Sequence, residues 1–379
     1  MKKSVVVKFL GTLAVLAILL AGSSPNATAQ SWAATATKAY PVSYTPNLTP
    51  IGSLPSSTAM HIVVGLQEQN ASQVQATLQR MITPGDSLYG TSLTLDEFVA
   101  EFGATTAQVQ AVTSYLTNSG FTNVAVAPNN LVIEADGTAG SVEAAFNTSL
   151  SQYSLSGATV FANTTAAQVP SSLQGIVIAV LGLNNIVGLH TDITKLSTGP
   201  QTFTTPCTPP SCPTPDPSNE TFTAQQYQIA YDAACPSDNT KCAAHNFPTG
   251  STTAVGIIAE GNLTQVVTDL RTYETTYSLP QVPVTVVNAG IASPDTSGMD
   301  EWDLDSQTST GIAQQVSHLY FYVATSLIDS DIALAINKAV TSNKVRAFNM
   351  SFGECEFPPI LTAQCLWTMR NSAKRHSKG

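Results

Sequence analysis

Glu301 and Asp305 stand four residues apart in the run Gly298-Met299-Asp300-Glu301-Trp302-Asp303-Leu304-Asp305. On a helix this spacing puts both carboxyls on one face, one turn apart. Two neighbouring carboxyls can share a proton and push their pKa values apart. One of them can then act as a base in acid, where a histidine would already be protonated. The spacing is a weak signal taken alone, because an acidic first turn favoured by the helix dipole reads the same way. A calcium loop through Asp303, Asp305 and Gln307 fits poorly. Thr308 stands where its glycine should be, and Gln314 stands where its bidentate glutamate should be.

What must position these carboxyls is a long, acidic chain. The 379 residues carry 25 Asp and Glu against 15 Lys and Arg, a net charge of −10. Only 11% of residues are charged, so few ion pairs would be lost in acid. There is no basic block, which argues against a nucleic-acid partner. Lys2, Lys3 and Lys8, the apolar run Phe9 to Ala21 and the small residues Ala27-Thr28-Ala29 read as a secretory signal cut before Gln30. No later run reaches membrane-spanning length, so the mature product is expected to be exported, soluble and free of the membrane. Six cysteines in an exported chain favour disulfides. The simplest pairs are local, Cys207 with Cys212 and Cys235 with Cys242, although other pairings stay open. Neither pair has Cys-x-x-Cys spacing, which argues against metal binding.

Ser31 to Thr58 is polar and reads as an extended leader, and the first domain is expected from His61. His61 to Leu66 reads as a strand. Val74, Leu78 and Met81 follow Ser72, a candidate N-cap, at helical spacing. Thr94-Leu95-Asp96-Glu97-Phe98 opens a second helix, and Thr106, Val109, Val112 and Leu116 mark a third that stops at Gly120. Val124 to Ala127 and Leu131 to Ala135 are strands around Pro128-Asn129-Asn130. Val142, Phe146 and Leu150 mark another helix, and Ile176 to Leu181 closes the domain as a strand. This mixture predicts an α+β sandwich with one antiparallel sheet.

Several of these motifs, in order, resemble the activation propeptide of the sedolisin family, the kumamolisin-like serine-carboxyl peptidases. They are Pro84-Gly85-Asp86-Ser87-Leu88-Tyr89-Gly90, Leu93-Thr94-Leu95-Asp96-Glu97-Phe98, Phe102-Gly103, Tyr115-Leu116 before Gly120-Phe121, Val142-Glu143 with Phe146, and Val169-Pro170 with Leu173. The resemblance implies a ferredoxin-like propeptide that acts as an intramolecular chaperone and inhibitor. Beyond it, Thr198 to Asn219 is rich in proline, stiff and exposed to proteases, a fit place for a propeptide cut.

From Ala254 onward, strands alternate with helices: Ala254 to Glu260, Val266 to Tyr277, Val282 to Val287, the helix starting at Glu301, His318 to Val323, Ile332 to Val340, and Val345 to Ser351. This order predicts a parallel sheet covered on both faces, which agrees with the subtilisin-like fold that the resemblance implies. The expected organisation is a signal over 1–29, a leader over 30–60, a propeptide over 61–196, a linker over 197–219, the N-terminal part of a peptidase domain over 220–356 and a tail over 357–379.

Within that resemblance, Glu301 is the general base that takes a serine proton, and Asp305 hydrogen-bonds to it and tunes it. This is triad logic with a carboxylate in place of imidazole. Phe348-Asn349-Met350-Ser351-Phe352-Gly353-Glu354-Cys355-Glu356 is similar to the family's Ser-x-Gly-x-x-Glu segment, so Ser351, Gly353 and Glu356 are expected to line the substrate cleft. Ser351 is not expected to be the nucleophile. The family's Gly-Asp-x-Gly oxyanion aspartate and Gly-Thr-Ser-Ala nucleophile have no match after Glu356. The complete family enzyme is expected to bind calcium, but its ligands are absent from this chain. Gly90-Thr91-Ser92 spells a nucleophile triplet inside the propeptide and is a decoy. Asp295-Thr296-Ser297-Gly298 fails as an aspartic-protease motif because its glycine comes one place late and no second copy exists. None of His61, His190, His245, His318 and His376 opens a His-Gly-Thr helix start.

The chain therefore reads as the precursor of a secreted endopeptidase that acts on polypeptides in acid through an acyl-enzyme. As written it is expected to be inactive. The alternative is a noncatalytic secreted binder or inhibitor built of a propeptide and part of a peptidase domain. The basic run Met369 to Gly379 in an acidic chain reads as a tail out of frame.

Overall fold

The computed structural model describes residues 30–42, 45, 47–186, 189–191, 223–231, 233, 250–314 and 316–353. The first half runs β1 (Trp32–Ala34), β2 (Thr49–Ser53), β3 (Ala59–Leu66), α1 (Ala71–Ile82), α2 (Leu95–Phe102), α3 (Thr106–Asn118), β4 (Thr122–Val126), β5 (Val132–Thr138), α4 (Ala139–Phe146), β6 (Leu150–Leu155), β7 (Ala158–Asn163), β8 (Gln168–Pro170) and β9 (Val177–Leu181). The second half runs α5 (Ala224–Ala230), β10 (Ala254–Glu260), α6 (Thr264–Thr276), β11 (Val284–Asn288), α7 (Met299–Ala313), β12 (His318–Ala324), α8 (Asp329–Ser342) and β13 (Ala347–Asn349).

The first half is organised by β3, whose apolar run sits between β5 and β9 in an antiparallel sheet of order β4-β5-β3-β9. Alternate side chains serve different faces. Ile62, Val64 and Leu66 pack with Val112 and Leu116 of α3 and with Val142 and Phe146 of α4. Val63 turns the other way and packs with Val132, Ala333 and Leu334, the last two from α8. Because both faces are covered, this antiparallel strand lacks the polar alternation of a sheet with one wet side. The helices carry their own stops and starts. Thr94 and Thr105 each form a capping box, with Glu97 and Gln108 respectively.

Several details differ from the expectations. The stretch read as an extended leader is built into the fold: β1 pairs with β8, and β2 pairs with β6, in a second sheet of order β2-β6-β7. Neither strand announces itself, since β1 has only three residues and all five residues of β2 are exposed. Their pairing is long-range and set by the partner. Leu150 opens β6 rather than extending α4. The β6–β7 hairpin turns on Ser156 and Gly157, both at positive φ, which suits a two-residue loop matched to the strand twist. The residue capping α1 is Asn70, in left-handed geometry and without a side-chain cap bond, rather than Ser72.

The second half is a parallel sheet of order β11-β12-β10-β13, with Ile257 opposite Phe321 and Asn349, and Phe321 opposite Val286. One face packs Ile257 and Phe321 against Leu263, Val266, Leu270 and Trp302 around α6 and α7. The other packs Ile258 and Tyr322 against Ile332, Ala335 and Ile336 of α8. The helix α8 is thus buried between two sheets, its own and the antiparallel one. A polar pair fixes that second contact: buried Asn129 donates Nδ2–H to Oδ1 of buried Asn337 at 2.7 Å, and its own Oδ1 accepts from the Leu131 amide at 3.1 Å. Polar groups this deep are tolerated because they are paired.

Candidate active site

The site forms on α7. Its first turn carries Asp300 and Glu301, which complement the positive end of the helix. The helix is anchored by Trp302, which is 1% exposed and donates its indole N–H to the Glu260 carbonyl at the end of β10, at 3.0 Å. Gly298 at the N-cap makes room for that ring. A Cβ there would lie 2.6 Å from Trp302 Nε1. With the ring fixed, the residues on either side are fixed too. Glu301 is 5% exposed and Asp305 is 8% exposed, so the surface-helix reading of this pair fails.

Asp305 meets the chain leaving β13. Ser351 donates its hydroxyl to Asp305 Oδ1 at 2.7 Å, and Asn349 donates Nδ2–H to Ser351 Oγ at 2.9 Å. Asp305 Oδ2 is buried and has no hydrogen-bond partner. Burial pushes the Asp305 carboxyl up to about 6; the Ser351 and Asn349 donors oppose this, and the Glu301 charge adds to it. Burial thus favours the neutral form of Asp305 below about pH 6, and a neutral carboxylic acid can donate to a neighbouring carboxylate.

Two more acids nearby are raised without joining this pair. Asp303 is pushed up to about 7, by burial first and then by Asp269 and Asp300. Glu260 is also pushed up to about 7, by burial and then by Asp295. The Asp295-Thr296-Ser297-Gly298 run is a turn: Asp295 Oδ1 accepts the Ser297 amide at 2.8 Å, and its carbonyl accepts the Asn262 amide at 2.6 Å. Ser92, the decoy serine, receives a hydrogen bond from Arg346 at 3.4 Å and lies in the loop between α1 and α2.

The cleft-lining expectation bears on Gly353 as well. Its amide donates to the His190 carbonyl and its carbonyl accepts the His190 amide, each at 3.0 Å, as an antiparallel bridge. The backbone of the segment that follows the antiparallel domain is thus paired with the residue two places beyond Ser351. Glu356 and the candidate disulfide residues Cys207, Cys212, Cys235 and Cys242 lie outside the described residues, as does 1–29. Sequence reasoning missed Asn349, Trp302 and His190. Asn349 could have been found from period two, since 349, 351 and 353 share one side of an extended chain. Among the described residues no group of three or more His, Cys, Asp or Glu is placed to hold a metal ion, and no helix is long and apolar enough to cross a membrane.

The described fold is a parallel α/β sheet preceded by an antiparallel domain, with two buried carboxyls one helical turn apart on α7. Known proteins resemble this chain as follows. A family model, "Pro-kumamolisin, activation domain", matches residues 46–186. Sedolisin from Pseudomonas sp. (strain 101) is 35% identical over 357 residues, covering 91% of this chain and 56% of its own length. Xanthomonalisin from Xanthomonas sp. (strain T-22) is 36% identical over 365 residues, covering 89% of this chain and 41% of its own. A solved structure of Pseudomonas sedolisin, a serine-carboxyl proteinase complexed with two molecules of pseudo-iodotyrostatin, overlaps 36% of this chain and 39% of its own at 31% identity. Its TM-score of 0.33 is too low for the superposition to define the fold. The two relatives, matched over 91% and 89% of this chain, and the activation-domain model together support a sedolisin-family protein. It spans about half the length of the curated relatives it matches.

Proposed function

We propose that this chain is the precursor form of a secreted serine-carboxyl endopeptidase that cleaves polypeptides in acid through an acyl-enzyme. Glu301 is the general base and Asp305 its proton-holding partner. The observation that carries this is the burial of both carboxyls one turn apart on α7, with Ser351 donating to Asp305. In acid, Asp305 is the neutral acid of the pair, leaving Glu301 to receive the proton of an attacking serine. The signal over 1–29 supports secretion. The nucleophilic serine and the oxyanion aspartate of the family have no match among these 379 residues, so the test below uses a completed enzyme. Calcium belongs to the complete enzyme by the same resemblance. No described cluster fits it, and no step here runs through it.

The first half is an activation domain of ferredoxin-like type, a reading supported by the strand order β4-β5-β3-β9 with helices on one face. It docks on α8 and serves as chaperone and inhibitor. The His190–Gly353 bridge supports the inhibitory part, since it occupies backbone groups that an extended substrate would otherwise pair with. The same bridge favours a second reading, a noncatalytic binder or inhibitor of a related peptidase.

The test is a completed enzyme, with residues 1–353 joined to the remaining length of the Pseudomonas sedolisin peptidase domain. Hydrolysis of a protein substrate is measured at about pH 3 to 5, where a carboxylate base operates. Glu301→Ala should abolish turnover, and Asp305→Ala should reduce it at least about a hundredfold. Wild-type turnover in Glu301→Ala would reject the assignment.

A further inference from the structure

The hydroxyl of Ser351 has one proton to give. Asn349 Nδ2 donates to its oxygen at 2.9 Å, so that proton must go to Asp305 Oδ1, 2.7 Å away. Oδ1 is then committed as an acceptor. Any proton on the carboxyl sits on Oδ2, the buried oxygen without a partner. We propose that Ser351 is a positioning residue of the acid pair: held by Asn349, its hydroxyl turns Asp305 so that Oδ1 stays an acceptor and Oδ2 carries the carboxyl proton. The bearing of this on catalysis rests on the reading of Asp305 as the partner of Glu301, but the geometry stands apart from it.

The arrangement differs from a substrate-lining role. A residue that only lines a cleft would leave the Asp305 carboxyl unchanged when altered. Here the serine lies between a β13 side chain and a helix side chain, linking the sheet to α7 at the reacting group. The charge that acts on Asp305 is that of Glu301 on its own helix. The strand side contributes only the uncharged Asn349 and Ser351. A hydroxyl donor to a carboxylate favours the charged form, so its loss makes the carboxyl harder to ionise. Removing a hydrogen bond to a charged group shifts the equilibrium by about one pKa unit or more.

The test is a 13C carboxyl titration of Asp305 in the full 379-residue chain labelled at aspartate, with the resonance assigned by its loss in Asp305→Asn. In Ser351→Ala the Asp305 midpoint should rise by about one unit, and Ser351→Thr, which restores a hydroxyl, should bring it back. Asn349→Ala, at an exposed position, should raise it by less and provides the reading if Ser351→Ala fails to fold. A midpoint unchanged in a folded Ser351→Ala or in Asn349→Ala overturns the proposal, as does a rise that Ser351→Thr fails to reverse. A shifted midpoint together with an active Glu301→Ala completed enzyme would leave the positioning intact and remove the peptidase reading.

Discussion

Asp305→Asn separates burial of a carboxyl from burial of a charge. The wild-type carboxyl is raised from its ordinary 3.8 to about 6 in the folded chain. Below about pH 4 it is protonated in both the folded and the unfolded state and imposes no pH-dependent cost. As the pH rises from about 4 to 6, the unfolded chain ionises first and binds fewer protons, so stability falls. Above about pH 6 both states are ionised and the penalty is constant. Two units at about 1.4 kcal/mol each, less some residual solvation, give roughly 2–3 kcal/mol. The asparagine is neutral at every pH and its carbonyl can still accept from Ser351. Glu260 and Asp303 add penalties of the same sign, but they are common to both proteins and cancel in the difference. Urea unfolding at pH 4, 5, 6 and 7 should therefore show the two proteins close together at pH 4. The variant should gain about 2–3 kcal/mol over wild type by pH 7. Parallel pH profiles would refute the argument, because they would mean that Asp305 ionises as readily in the fold as out of it.

Two further outcomes follow from the first half of the chain. A fragment of residues 30–191 should fold by circular dichroism and inhibit Pseudomonas sedolisin, whereas one of 60–196 should be less stable because it lacks β1 and β2; equal stability would show those strands to be dispensable. Asn337→Ala leaves the buried Asn129 amide without its acceptor and should cost about 1–3 kcal/mol, read as a lowered unfolding midpoint and faster proteolysis between the halves.

What was legible in the sequence was local. The helix opening at Thr94, the glycine stop at Gly120 and the alternation of strands and helices after Ala254 are written in neighbouring residues, and each reappears in the structure. The pair Glu301 and Asp305 was legible as a spacing, but its burial was not, because Trp302 and the end of β10 provide it across 42 residues. β1 and β2 were invisible for a related reason. β1 is only three residues long and β2 is exposed throughout, and they become strands only because β8 and β6, far along the chain, offer free edges. Ser351 was visible as a cleft residue, yet its bond to Asp305 spans 46 positions that no local pattern encodes.

The central claim is that Asp305 supplies a neutral acid that lets Glu301 act as the base in acid. It is tested most directly by the pH–rate profile of the completed enzyme in wild-type, Asp305→Asn and Glu301→Gln forms. Wild type should lose activity as the pH rises through about 6, where Asp305 gives up its proton. Asp305→Asn, which stays neutral, should keep a measurable part of the acid activity and lose that fall, and Glu301→Gln should be inactive throughout. An unaltered fall near pH 6 in Asp305→Asn, or wild-type turnover in Glu301→Gln, would contradict the account.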